Sequence, residues 1–329
     1  MDIRHANQRP PFPGQSAALA DVPAQVLQLF AALEQRLGSY ILGKEEQIRL
    51  SLCCLLANGH LLIDDIPGIG KTTLAKALAK VLGLEFRRVQ CTNDMLPGDI
   101  LGVSVFDQRS SSFSFHPGPI FTQVLLADEI NRATAKTQSA LLEAMEERQV
   151  SIEGKSRPLP APFFVIATQN PLEQAGTYPL PESQLDRFLM KISLGYPDHE
   201  AERRLLATGG TLVGENEQAL IDGQVVSQLQ HQVSQVRLSK ALVDYLQDIL
   251  DFSRNSGRFA IGLSPRAGLS MARASQSHAL LHGRNFVLPE DVRRVLPYIA
   301  IHRLKAADSL AAMTIAELEL VFQAVPVPA

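Results

Sequence analysis

The chain contains no tryptophan, three cysteines, no long hydrophobic run and no surplus of positive charge. Each absence removes a class of function. Cys53, Cys54 and Cys91 form an odd set without metal-ligand spacing, and two of them are adjacent in an apolar stretch, so reduced, partly buried thiols are expected. The longest apolar runs, such as Leu52 to Ala57, fall well short of the ~20 residues that a membrane helix needs. No apolar segment follows the first basic residues either, and a cytoplasmic chain is expected. A net charge of -3 and a pI near 6.3 leave no broadly basic surface for nucleic acid. Hydrophobic residues at 46% against charged residues at 20% instead describe a soluble globular protein. Its 329 residues suffice for a sizeable core and two domains.

What is present is a phosphate-loop pattern. The apolar run Leu61 to Ile63 predicts a buried strand, Pro67, Gly68 and Gly70 a tight loop, and Leu74, Ala75, Leu78 and Ala79 recur at helical spacing. Glycines let backbone N–H groups turn inward on a phosphate, and the new helix directs its positive end at the same anion. Lys71 is placed to reach the terminal phosphates and Thr72 to hold Mg²⁺ through its hydroxyl. Asp65 stands where the strict pattern has glycine. Aspartate tolerates the bend, but its carboxylate must point away from the phosphates.

Two more strand ends carry polar groups. Val124 to Ala127 predicts a strand ending in Asp128-Glu129, where α/β sheets bind ligands. Asp128 is a candidate for ordering Mg²⁺ or its water shell, and Glu129 for activating an attacking water. An acid pair favoured by a helix dipole is the alternative. Phe163 to Ala167 predicts a further strand, with Asn170 at its end either as an amide beside the γ-phosphate or as part of an Asn-Pro turn. Arg266, in the first turn of the helix opened by Ser264-Pro265, opposes the helix dipole unless an anion lies nearby. That anion is either a bound phosphate or a neighbouring carboxylate. His278 and His282 share a helix face without a third ligand, which reads as an exposed polar face.

The order of these elements gives an organisation. Residues 1–23, with four prolines and little periodicity, read as a flexible arm. Residues 24–197 read as an α/β domain with a parallel sheet flanked by helices. Its first helix covers Ala24 to Leu37 and is ended by Gly38, and hairpins are inserted near 103–115 and 150–157. Residues 198–215, with Gly209, Gly210 and Gly214, read as a linker opened by a helix that Asp198 caps. Everything in 216–329 is helical.

Together, Pro67-Gly-Ile-Gly-Lys-Thr, Leu125-Leu-Ala-Asp-Glu-Ile-Asn-Arg-Ala133, Ala167-Thr-Gln-Asn-Pro171, Leu180-Pro-Glu-Ser-Gln-Leu-Asp-Arg-Phe188 and Leu263-Ser-Pro-Arg-Ala267 resemble the MoxR group of AAA+ ATPases. The resemblance implies a five-stranded parallel nucleotide domain with a helical lid, ATP bound between them, and assembly into a ring, most often a hexamer. It implies that Pro67, Gly68, Ile69, Gly70, Lys71, Thr72 and Thr73 cradle ATP, with Gly43 near the adenine and Thr72 and Asp128 on Mg²⁺. Glu129 keeps its role, Asn170 corresponds to the first sensor, Arg266 to the second, and Arg187 to the finger that reaches the neighbouring subunit's ATP. The hairpins correspond to elements facing the ring pore. Partners implied by the resemblance are a client protein and a protein bearing a von Willebrand factor A domain.

The leading expectation is therefore a chaperone-like ATPase that remodels or activates a partner. A P-loop small-molecule kinase would need an acceptor site in place of a water-activating Glu129, and a nucleotide-dependent scaffold would need little hydrolysis. A DNA-dependent motor has no basic track to run on.

Overall fold

The computed structural model describes residues 24–108, 111–171, 176–208 and 218–328. The expected arm at 1–23 and the glycine-rich part of the linker lie outside the described residues. Two helices, α1 (Ala24–Tyr40) and α2 (Glu45–Leu56), lead into β1 (Leu61–Asp64) and α3 (Lys71–Val81). Next come β2 (Phe86–Gln90), α4 (Pro97–Leu101), and the antiparallel hairpin of β3 (Gly102–Asp107) and β4 (Ser112–Pro117). A buried strand, β5 (Val124–Asp128), precedes α5 (Ala135–Glu147) and a second hairpin, β6 (Gln149–Ile152) with β7 (Lys155–Pro158). The α/β part ends with β8 (Phe164–Gln169), α6 (Glu182–Leu185), β9 (Met190–Ile192) and α7 (His199–Thr208). The described remainder is led by α8 (Gly223–Gln235), α9 (Lys240–Asn255), α10 (Pro265–Leu281), α11 (Pro289–Ala300) and α12 (Ile315–Phe322).

Five strands form one parallel sheet in the order β2-β5-β8-β1-β9. The chain leaves β1 for the far edge, fills in β5 and β8, and crosses to the other side of β1 with β9. The carboxyl ends of the inner strands therefore open a crevice beside β1. Register aligns those ends: Ile63 pairs with Thr168, Ala127 with Ala167, and Gln90 with Asp128. The continuous apolar runs in β1, β5 and β8 are buried on both faces, as a parallel sheet covered by helices requires. His60, just before β1, accepts from Val165 N–H at its Nδ1 (3.0 Å) and donates from Nε2 to the carbonyl of Met145 (3.2 Å). Burial holds this imidazole neutral, with its pKa lowered to about 3, and it fixes the end of α5 over the sheet.

Three sequence-based expectations are corrected. The first helix does not stop at Gly38 but continues to Tyr40, whose ring is buried in the core; packing of that last turn outweighs the glycine. The cysteines are fully rather than partly buried, and burial pushes the thiols of Cys53 and Cys91 up to about 12. The exposed polar face expected at His278 and His282 holds only for His282, since the His278 side chain is 11% exposed. His278 Nδ1 lies 2.6 Å from Asp291 Oδ1, and Arg284 grips the same carboxylate with contacts of 2.6 and 2.7 Å. No group of His, Cys, Asp and Glu suited to a metal occurs among the described residues.

Asp291 also accepts from the N–H of Leu288 (2.7 Å), so one wholly buried carboxylate closes the start of α11 and joins it to α10. Desolvation raises its pKa, but Arg284, His278 and the N–H bond more than offset that and leave it at about 2. Because the folded value lies below the unfolded one of ~3.9, this stabilisation is present above pH ~4 and lost as pH falls through about 2. Asp291→Asn is expected to cost about 2 kcal/mol near neutral pH and nothing at the acid end. Urea unfolding of both proteins across that range checks it; a pH-independent difference would assign the cost to geometry instead of charge.

Candidate functional site

The loop between β1 and α3 takes its shape from two glycines. Gly68 (φ 84°) and Gly70 (φ 97°) both lie in the left-handed region, with open space where a Cβ would stand, so backbone conformation alone selects glycine here. Gly70 forms the N-cap of α3, and Lys71, Thr72 and Thr73 make its first turn, leaving the helix's free N–H groups directed into the loop. Ile69 turns the other way and packs against the main core. Lys71 Nζ donates to the carbonyls of Asp65 (2.5 Å) and Gln169 (3.3 Å), which draws it across the ends of β1 and β8. Burial lowers the pKa of its ammonium, against which Asp65, Asp128, Glu129 and Asp64 act electrostatically.

Asp65 resolves the departure from the strict loop pattern. Its Oδ2 accepts from Ser193 Oγ (2.8 Å) and the Gly195 N–H (2.7 Å), and its Oδ1 accepts from the Ile66 N–H (2.9 Å). The carboxylate thus points away from the loop cradle and ties its entry to the chain leaving β9.

Asp128 and Glu129 stand opposite at the end of β5. Thr168 Oγ1 donates to Asp128 Oδ1 (2.6 Å) and accepts from the Glu129 N–H (2.9 Å). Asp128 Oδ2 is held by Arg88 of β2, at 3.1 Å from Nε and 2.6 Å from a terminal nitrogen. Glu129 itself has left-handed backbone (φ 55°, ψ 52°), unusual for a residue with a side chain. Such strain concentrates at sites where a side chain must be aimed. Its Oε2 lies 3.2 Å from Arg132.

One cleft of about 390 Å³ is lined by Pro67, Gly68, Gly70, Lys71, Thr72, Thr73, Asp128, Glu129 and Asn170. Arg88 and Gln90 complete the lining. Asn170 is buried at the end of β8. The sequence-predicted residues of the three strand ends thus meet in one place. Gly43 lies outside this lining, in the turn before α2, where φ is 66° and an added Cβ would meet Asp198 Oδ2 at 2.9 Å. The neighbouring Lys44 Nζ donates to the carbonyl of Tyr196 (2.7 Å).

Arg187 and Arg266 are brought together outside the cleft, on one carboxylate in the last turn of α5. Arg266 donates to Glu146 Oε1 (2.6 Å), and Arg187 Nε lies 3.8 Å from Glu146 Oε2. Of the two local alternatives for Arg266, the structure displays the neighbouring carboxylate. Sequence reasoning missed Arg88, Gln90, Thr168 and Glu146. Arg88 and Gln90 escaped because Phe86–Gln90 is an edge strand in which only Val89 is buried, so it shows no apolar alternation.

A model of the ATPase family associated with various cellular activities (AAA) matches residues 60–190, and an AAA lid domain model matches 251–319. Chaperone MoxR1 of Mycobacterium tuberculosis is 42% identical over 273 residues, 80% of this chain and 72% of its own length. Protein MoxR of Paracoccus denitrificans is 32% identical over 329 residues, 91% of this chain and 96% of its own. A solved structure described as a candidate ATPase from Cytophaga hutchinsonii superposes with a TM-score of 0.85 at 33% identity, covering 93% of this chain and 97% of that one.

Proposed function

The chain belongs to the MoxR family of AAA+ ATPases, and from that premise we propose that it hydrolyses ATP with Mg²⁺ in a ring, most simply a hexamer, to remodel or activate a partner protein. The observation that carries this reading is the single cleft in which the glycine loop, Lys71, Thr72, Asp128, Glu129 and Asn170 face one another. Its donor set fits a nucleoside triphosphate: free N–H groups at a helix start, an ammonium beside them, and hard oxygen ligands across the gap. Thr72 and Asp128 would hold Mg²⁺, which supplies charge neutralisation on the phosphates. Lys71 draws the terminal phosphates toward the ends of β1 and β8. Glu129, aimed by its left-handed backbone, takes the proton of the attacking water, and Asn170 orients that water. Arg88 is half-exposed and can turn from Asp128 toward phosphate oxygens.

In this reading residues 24–197 form the nucleotide domain and 216–329 the lid, joined by 198–215, with the adenine near Gly43. Arg266 leaves Glu146 for the nucleotide of its own subunit, and Arg187 leaves it for the neighbour's. Partial exposure makes both ion pairs weak enough to exchange, on the order of 0–1 kcal/mol each. The hairpins β3–β4 and β6–β7 transmit the change to a client. The exposed Val103, Val105, Phe106 and Phe113 on the first of them suit contact with an unfolded or apolar segment. No helix among the described residues is long and apolar enough to cross a membrane. A cytoplasmic site of action is part of this proposal, and family likeness supports a von Willebrand factor A partner.

Light scattering on Glu129→Gln, with and without ATP, tests the assembly. The expected outcome is an ATP-dependent shift from small species to about six subunits. A variant that binds ATP yet stays monomeric would leave Arg187 without a target and overturn the ring.

A further inference from the structure

We propose that Asp186 is a positioning residue: with Arg303 and Ser264 it ties the segment carrying Arg187 to the lid helices, so that lid position sets where Arg187 stands for the neighbouring subunit. The inference rests on the reading above that Arg187 acts in trans.

The starting observation is a buried guanidinium. Arg303, just beyond α11, has only 5% of its side chain exposed. Burying a guanidinium costs several kcal/mol unless its donors are satisfied, and here all five N–H groups have acceptors. Nε donates to Asp186 Oδ1 (2.6 Å), one terminal nitrogen to the carbonyls of Asp186 (3.0 Å) and Phe188 (2.7 Å), and the other to those of Leu189 (3.3 Å) and Ile299 (2.5 Å). Four of these five acceptors belong to the four residues 186–189. His302 adds a bond from Nε2 to the carbonyl of Phe188 (3.1 Å). Two consecutive lid residues therefore grip the backbone on either side of Arg187.

A second grip comes from another helix. Ser264 Oγ donates to Asp186 Oδ2 (3.1 Å) while accepting from the N–H of Ala267 (3.1 Å) as the N-cap of α10. Arg266 is two residues further on. Asp186 thus spends one oxygen on the end of α11 and the other on the start of α10. Asp186 lies within the stretch matched by the ATPase model, whereas Ser264 and Arg303 lie within the stretch matched by the lid model. Simple adhesion between the two parts would be served at lower desolvation cost by apolar side chains. A directional, fully satisfied polar clamp instead fixes position, and what it fixes is the pair Arg187 and Arg266, which converge on Glu146.

Trans-complementation separates this role from a merely structural one. Asp186→Asn is expected to bind ATP and assemble like wild type while kcat falls at least tenfold and KM changes little. Mixed 1:1 with Glu129→Gln, whose own sites are slow but whose Arg187 is intact, it should recover about a quarter of wild-type turnover from random neighbour pairing. If Asp186 serves only its own subunit's nucleotide site or folding, the mixture stays at the sum of the two inactive proteins, and the proposal fails. Arg187→Ala mixed with Glu129→Gln is the control. No recovery there overturns the trans reading itself, whereas recovery there but not with Asp186→Asn overturns only the role of Asp186. Should Asp186→Asn fail to fold, Ser264→Ala removes one grip, leaves the buried ion pair and carries the same test with a smaller loss. Equal KM and kcat with wild type in that variant would count against the proposal.

Discussion

Arg187→Ala is expected to bind ATP with near wild-type affinity and to lose about 10³- to 10⁵-fold in turnover, roughly 4 to 7 kcal/mol of barrier. Arg187 does not line its own subunit's phosphate cleft, which is why binding should survive. Its ion pair with Glu146, at 3.8 Å with both side chains about a third exposed, contributes at most about 1 kcal/mol to the fold. Loss of activity therefore cannot be laid to unfolding, and thermal melting should stay within a few degrees of wild type. Equilibrium binding and steady-state hydrolysis on the same preparation check the split. Hydrolysis within tenfold of wild type would remove Arg187 from the mechanism and leave Arg88, which grips Asp128 in the cleft itself, as the candidate for stabilising the transition state.

What could be read from the chain alone divides along the range of the interactions involved. β1, β5 and β8 were legible because both faces of each are covered, which leaves continuous apolar runs. The edge strand β2 was not, since one buried residue in five carries no periodicity. The same division holds at the site. Gly68, Gly70, Lys71 and Thr72 act through local backbone geometry, and local geometry is written in neighbouring residues. The fate of the Asp65 carboxylate depends on Ser193 and Gly195, 128 and 130 residues away, and could be anticipated only as a direction to avoid. Glu146 gave no signal at all: two acids in the last turn of a helix, opposing its dipole, look like a plain surface until Arg187 and Arg266 arrive from elsewhere. Asp186 and Arg303 are likewise joined only by the packing of the lid against β9.

The second large effect belongs to Glu129, and it differs in kind. Glu129→Gln preserves size and one acceptor oxygen but cannot take a proton, so turnover should fall by about 10² to 10⁴, roughly 3 to 5 kcal/mol, with ATP retained rather than released. The left-handed backbone at this position and the Thr168 bond to its N–H do not depend on the carboxylate, so the aim of the side chain persists in the variant. Its ion pair with Arg132 is lost, but that arginine is 42% exposed and is rehydrated at little cost. Single-turnover hydrolysis of prebound ATP isolates the chemical step from binding and from product release. No other group can silently take over: the carboxylates lining the cleft are Asp128 and Glu129, and in this reading Asp128 is committed to Mg²⁺ and to the Thr168 hydroxyl. Near-normal single-turnover rates in Glu129→Gln would therefore mean that water attacks without a protein base. Positioning and electrostatics from Lys71, Asn170 and the trans arginine would then have to supply the whole acceleration.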